Sequence, residues 1–181
     1  MIPLLHALGF LAWGGIISYG LRQAEAFAAA RAKRIPKTPL PDVLHDVLPT
    51  IHTYAPDYAL LACAAATVWY GMHFTTSDVV CLFLSWSFRL AFVCLTTFPP
   101  CIRPETIADT AYSRLLMSQH DLMYSGHTCV FMFLGGALPG MLGYGVQFAC
   151  PLLLLTASRQ HYTIDVVVAM VVYTLIRANI A

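Results

Sequence analysis

The sequence predicts an all-α polytopic integral membrane protein, six transmembrane helices forming one domain over residues 1–181. Three observations carry that expectation. Only 10% of the residues are charged, against about 25% in an average soluble domain. Hydrophobic residues make up 59% of the chain, and mean hydropathy is +0.69. The apolar residues also fall into runs close to the roughly 20 residues needed to cross a bilayer core.

The spans are expected at about 2–21, 57–73, 79–98, 126–140, 143–157 and 161–176. The first begins at Ile2 with no basic stretch and no small-residue cleavage site, so it reads as a retained helix and not a leader peptide. The alanine-rich piece Arg22 to Arg34 favours helix, lying at the interface or extending the first span. Pro36, Pro39 and Pro41 then forbid helix and impose an extended run. Asp42 offers an N-cap for a short amphipathic turn. Span three stops at Pro99-Pro100, and residues 101–124 form the next long connection. Spans four and five turn at Pro139-Gly140 or at Gly143-Tyr144-Gly145. That hairpin is short: His127 to Ala157 is 31 residues, roughly 21 Å per arm against a core of about 30 Å. Either span four starts earlier, near His120, or its polar groups lie below the membrane surface.

Net charge of +1 suggests no nucleic-acid partner. The six cysteines fall mostly in apolar runs without ligand spacing, which points to small buried hydrophobes and not to a disulfide framework or metal site. No metal and no cofactor are expected.

The chemistry-bearing residues sit where spans begin. His161 and Asp165 are four residues apart, neighbours on one face if helical, so the carboxylate could fix the imidazole tautomer. A buried polar pair that merely packs span six is the plainer alternative. Ionisable groups in membrane helices mark function by default, and a second histidine, His127, opens span four. Ser125 can cap that helix, Gly126 permits close backbone approach, and the free amides there suit a phosphate. Arg89 lies about 15 Å down span three from Pro99, where burial costs roughly 2.5–3.5 kcal/mol. A role facing a polar interior, against a phosphate or carboxylate, accounts for it better than snorkelling. His120 and Asp121 sit in the loop before His127, where they could shape a headgroup pocket; His6, His45, His52 and His73 receive no role. With six spans, the proline-rich segment, the His127 motif and the His161 motif share one side.

Four segments together resemble the sphingomyelin synthase family, a branch of the type-2 phosphatidic acid phosphatase superfamily. They are Pro39-Leu40-Pro41-Asp42; Arg89 with Thr96-Thr97 and Pro99; Asp121 to Thr128; and His161-Tyr162-Thr163-Ile164-Asp165-Val166. The resemblance implies a six-span bundle and a catalytic triad of His127, His161 and Asp165, with Arg89, Ser125, Gly126, Tyr162 and Asp121 binding substrate. It implies transfer of phosphocholine from phosphatidylcholine to ceramide through a phosphohistidine, giving sphingomyelin and diacylglycerol. The partners are then lipids: a glycerophospholipid donor and a ceramide or diacylglycerol acceptor. A homo-oligomer is compatible with it, and the Golgi, the endoplasmic reticulum or the plasma membrane is the expected location.

Gln119-His120 replaces the Cys-Gly that usually precedes the family's third-motif aspartate, and Ser158-Arg159 resembles plant inositol-phosphorylceramide synthases equally well. Transfer of phosphoinositol or phosphoethanolamine to ceramide, or of phosphocholine to diacylglycerol, therefore stays open. A lipid phosphate phosphatase fits less well, because the chain lacks Lys-x6-Arg-Pro and Arg159 is too close to His161. A channel or scaffold leaves the triad unexplained. Eight of the ten basic residues lie on or near the motif side, which the positive-inside rule would make cytosolic; the family places its site on the exoplasmic face, and that orientation is preferred.

Overall fold

Every regular element among the described residues is a helix. A computed structural model describes residues 4–35, 38–99, 101 and 124–180. The helices are α1 (Leu4–Ala32), α2 (Val43–Val47), α3 (Ala55–Trp69), α4 (Thr76–Leu95), α5 (Gly126–Ala137), α6 (Gly140–Leu155) and α7 (Thr163–Ile180). Among them α4 and α7 are long and apolar enough to cross a membrane.

Local chemistry sets the ends, and several differ from the expected spans. Helix α1 runs on through the charged alanine-rich piece to Ala32, so that piece extends the first helix. Helix α3 starts at Ala55, two residues early, with Pro56 in its first turn where a missing N–H is harmless. It stops at Trp69, four residues early, before Gly71 takes a left-handed φ of 61°. Helix α4 begins at Thr76 and not Val79, because Thr75 and Asp78 form a reciprocal capping box. It ends at Leu95 and not Phe98, since Thr96 is already extended ahead of the prolines. Helix α5 ends at Ala137, and the turn at Leu138-Pro139 starts α6 at Gly140 and not residue 143. Helix α7 begins at Thr163, leaving His161 in the preceding loop.

Helix α6 is π-wound over Gly145–Ala149 and Pro151–Leu155. Pro151 brings no N–H to the ladder, and such wider turns take up the missing bond. Helix α5 has 12 residues, about 18 Å, so the hairpin is as short as the sequence suggests. The region near His120, where an earlier start was considered, lies outside the described residues.

Helix α5 is the axis of the bundle and packs against α3, α4, α6 and α7. On one side Cys129 and Met132 join Cys81, Tyr124, Ala169 and Tyr173; on the other Phe131 and Leu134 join Cys63, Leu138 and Val146. Among the described residues, helix α1 attaches mainly to α4, through Ala24 and Ala28 against Val93. The outside is strongly apolar: Trp69 is 86% exposed, Val68 80% and Leu95 75%.

Candidate active site

Described residues of three connections meet at one end of the bundle: those between α1 and α3, between α4 and α5, and between α6 and α7. Helix α5 presents His127 in its first turn, and Ser125 caps that turn by accepting from the Thr128 amide at 3.2 Å. The Ser125 amide itself points to the Asp165 carbonyl at 3.5 Å, which ties the start of α5 to the first turn of α7. As a result the rings of His127 and His161 face one another with centroids 6.4 Å apart.

Each ring has a carboxylate partner, and the two pairs are built differently. Asp165 is fully buried, and its Oδ2 accepts from the Tyr162 amide at 2.8 Å, capping α7 from the third helical position. The same oxygen lies 3.5 Å from His161 Nδ1. That is longer than a well-formed hydrogen bond, so the contact is mainly electrostatic in this geometry. The pairing therefore arises from the capping turn before α7, and not from two positions on one helical face. It leaves Nε2 of His161 as the nitrogen directed away from the carboxylate. Burial first, then the charges of His127 and Arg89, holds the His161 ring well below the ordinary histidine range. That favours the neutral form of the ring.

His127 donates from Nε2 to Asp57 Oδ1 at 3.0 Å, both side chains being mostly buried. Asp57 stands in the first turn of α3. Sequence reasoning placed it only as the start of a span and gave it no chemistry. The signal was present: it is another ionisable group at the mouth of an apolar helix, like the three already singled out. With an ionised Asp57 as acceptor, Nε2 of His127 carries a proton, and Nδ1 is left as the nitrogen able to give or take one.

Arg89 reaches this end from α4. A Cβ placed on Gly126 would fall 2.6 Å from Arg89 Nη1, so the bare glycine is what lets the guanidinium lie against the start of α5. A cation, a helix N-terminus and two imidazoles thus share one small region, an arrangement suited to a phosphoryl group. Tyr162 was expected to contact substrate. It is 2% exposed, and its hydroxyl donates to the Pro99 carbonyl at 3.0 Å while accepting from the Leu40 amide at 2.9 Å. It is a tie between all three connections. Asp121 and His120 lie outside the described residues.

His45, given no role from sequence, donates from Nε2 to the His161 carbonyl at 3.0 Å. Arg159 adopts a left-handed φ of 59°, uncommon for a residue with a Cβ, and donates to the Leu48 carbonyl at 3.1 Å. Among the described residues, no three His, Cys, Asp or Glu side chains group as a metal-ligand set. No protein-family model matches the chain, and neither the curated proteins nor the solved structures contain a match to it.

Proposed function

We propose that the protein is a six-span lipid phosphotransferase of an endomembrane or the plasma membrane, with α1 and α3 to α7 as its spans. It moves phosphocholine from phosphatidylcholine to ceramide, releasing diacylglycerol and forming sphingomyelin. The observation that carries this reading is the facing pair of imidazoles, each beside its own carboxylate, with Arg89 next to them.

In the first half-reaction, His161 Nε2 attacks phosphorus while the bond from phosphorus to the glycerol oxygen breaks. The departing oxygen keeps the electron pair and takes the proton from His127 Nδ1, giving diacylglycerol. Phosphocholine remains on His161 through a P–N bond. In the second, His127 takes the proton of the ceramide primary hydroxyl, whose oxygen attacks phosphorus. The P–N bond breaks and its electrons return to His161. Asp165 stabilises the positive charge that His161 acquires on attack, and Asp57 does the same for protonated His127. Arg89 and the α5 amides face the non-bridging oxygens. Attack needs an approach of about 3–3.5 Å, and proton transfer a contact of about 2.6–3.2 Å. Ring centroids 6.4 Å apart are compatible with one phosphorus between them.

Purified protein is given fluorescent ceramide and a panel of glycerophospholipids, and the products are resolved by chromatography. Phosphosphingolipid with diacylglycerol is expected. Free phosphorylated headgroup with diacylglycerol would mean hydrolysis, and inorganic phosphate from phosphatidic acid would mean a phosphatase. His161→Ala should lower transfer by at least about 10³-fold without loss of folding; undiminished turnover in that variant rejects the assignment.

A further inference from the structure

The phosphoryl chemistry makes no use of the proline-rich motif, yet that motif holds a carboxylate that accepts from four donors. Asp42 Oδ1 accepts from the Leu44 and His45 amides, each at 3.1 Å, and from the Thr163 hydroxyl at 2.6 Å. Its Oδ2 accepts from the Thr163 amide at 2.7 Å. One side chain therefore accepts from the first-turn amides of two helices, α2 and α7, with Thr163 lying 121 residues from Asp42 in the chain.

The neighbouring contacts follow the same line. The Leu40 amide donates to Tyr162, the His45 ring donates to the His161 carbonyl, and Arg159 donates to the Leu48 carbonyl. The Ile51 amide donates to the Ala157 carbonyl at 3.0 Å, and the Gln160 side chain donates to the Thr53 carbonyl. The whole connection from Leu40 to Thr53 thus lies along residues 157–163, the segment that carries His161. His161 is held on both sides: by His45 at its own carbonyl, and by Asp42 at the amide two residues on.

We propose that Asp42 is a positioning residue, fixing the pitch of the His161 ring toward His127 by clamping the first turn of α7 to the proline-rich strap; this rests on the transferase reading of the site. Thr163 is its partner in that clamp, and Asp42 itself touches no reacting atom. Displacing a reacting group by about 1 Å costs up to about 10²-fold in rate, whereas ground-state binding of the lipids depends on other surfaces. The loss therefore falls on kcat and not on KM.

The test uses the full chain in lipid–detergent micelles and compares Asp42→Ala, Thr163→Ala and Thr163→Ser with the native protein. Two readouts are taken: steady-state transfer kinetics, and the imidazole ¹⁵N signal of His161, assigned by its disappearance in His161→Ala. Asp42→Ala is expected to lower kcat by about 10–100-fold with KM within about twofold, and to move the His161 signal. Thr163→Ala should do the same more weakly, and Thr163→Ser, which keeps the hydroxyl, should match the native protein. If Asp42→Ala fails to fold, the contrast between Thr163→Ala and Thr163→Ser decides. An unmoved His161 signal, or a rise in KM at constant kcat, overturns the clamp. If native protein transfers no headgroup but the signal still moves in the variants, the clamp stands and the transferase reading fails.

Discussion

Asp57 and Asp165 act on their imidazoles through different atoms and different distances, and this separates their expected effects. Asp57 makes a direct 3.0 Å contact with His127, so it sets which nitrogen of that ring carries the proton. Asp57→Asn should lower kcat by about 10²-fold, the low end of the usual range for acid–base catalysis. In a His127→Ala background the same change should add almost nothing, because the two side chains act as one unit. Transfer assays on the single and double variants measure this; independent, additive losses would separate the pair. His127, His161, Asp165 and Arg89 were all legible in the sequence because each sits in a short motif or breaks an apolar run. Asp57 was not, since nothing local joins it to a ring 70 residues away. Tyr162 was legible as a motif residue, but the two partners of its hydroxyl were not, because both come from other connections.

At the scale of elements, the turns before α2 and α7 depend on one carboxylate with a distinct pH signature. Burial alone would raise the Asp42 carboxyl, but the hydrogen bonds from Thr163 and His45, with the His45 charge, bring it below the usual aspartate value. A depressed folded value means that this stabilisation is fully present above the unfolded value of about 3.9 and is lost as pH falls through the folded one. Thermal unfolding of native protein and Asp42→Ala should therefore show a gap in Tm that is constant from pH 7 to about 5 and narrows below about 4. A gap that widens in acid would contradict the hydrogen-bond assignment. Helix existence and order were readable from hydropathy, because the runs are long and the charged gaps few. Helix ends were less so. The start of α4 follows a capping box rather than hydropathy, and the winding of α6 depends on how its backbone accommodates Pro151. Neither leaves a trace in the spacing of apolar residues.

The molecule as a whole places its apolar side chains outward as well as inward, with Val68, Trp69 and Leu95 almost fully exposed. So many exposed large apolar side chains are compatible with a bilayer around α4 and α7, the two described helices long and apolar enough to cross one. In a cysteine-depleted background, a membrane-impermeant maleimide should label Thr50→Cys from one side of sealed vesicles and His73→Cys and Pro139→Cys from the other. Labelling of all three from one side would rule out the six-span arrangement. The all-helical class was legible from composition alone, since so few charges leave little else to build. The convergence of three connections was legible only as parity, because a count of spans says which loops share a side but not which of them touch. The Asp42–Thr163 bond also has a consequence in time. At a translation rate of about 5–20 residues per second, the ribosome adds the 121 residues separating them in roughly 6–24 s. Until then the nascent chain holds a carboxylate without its mate, so on the proposed transferase reading a product released early, short of its last helix, would leave phospholipids intact.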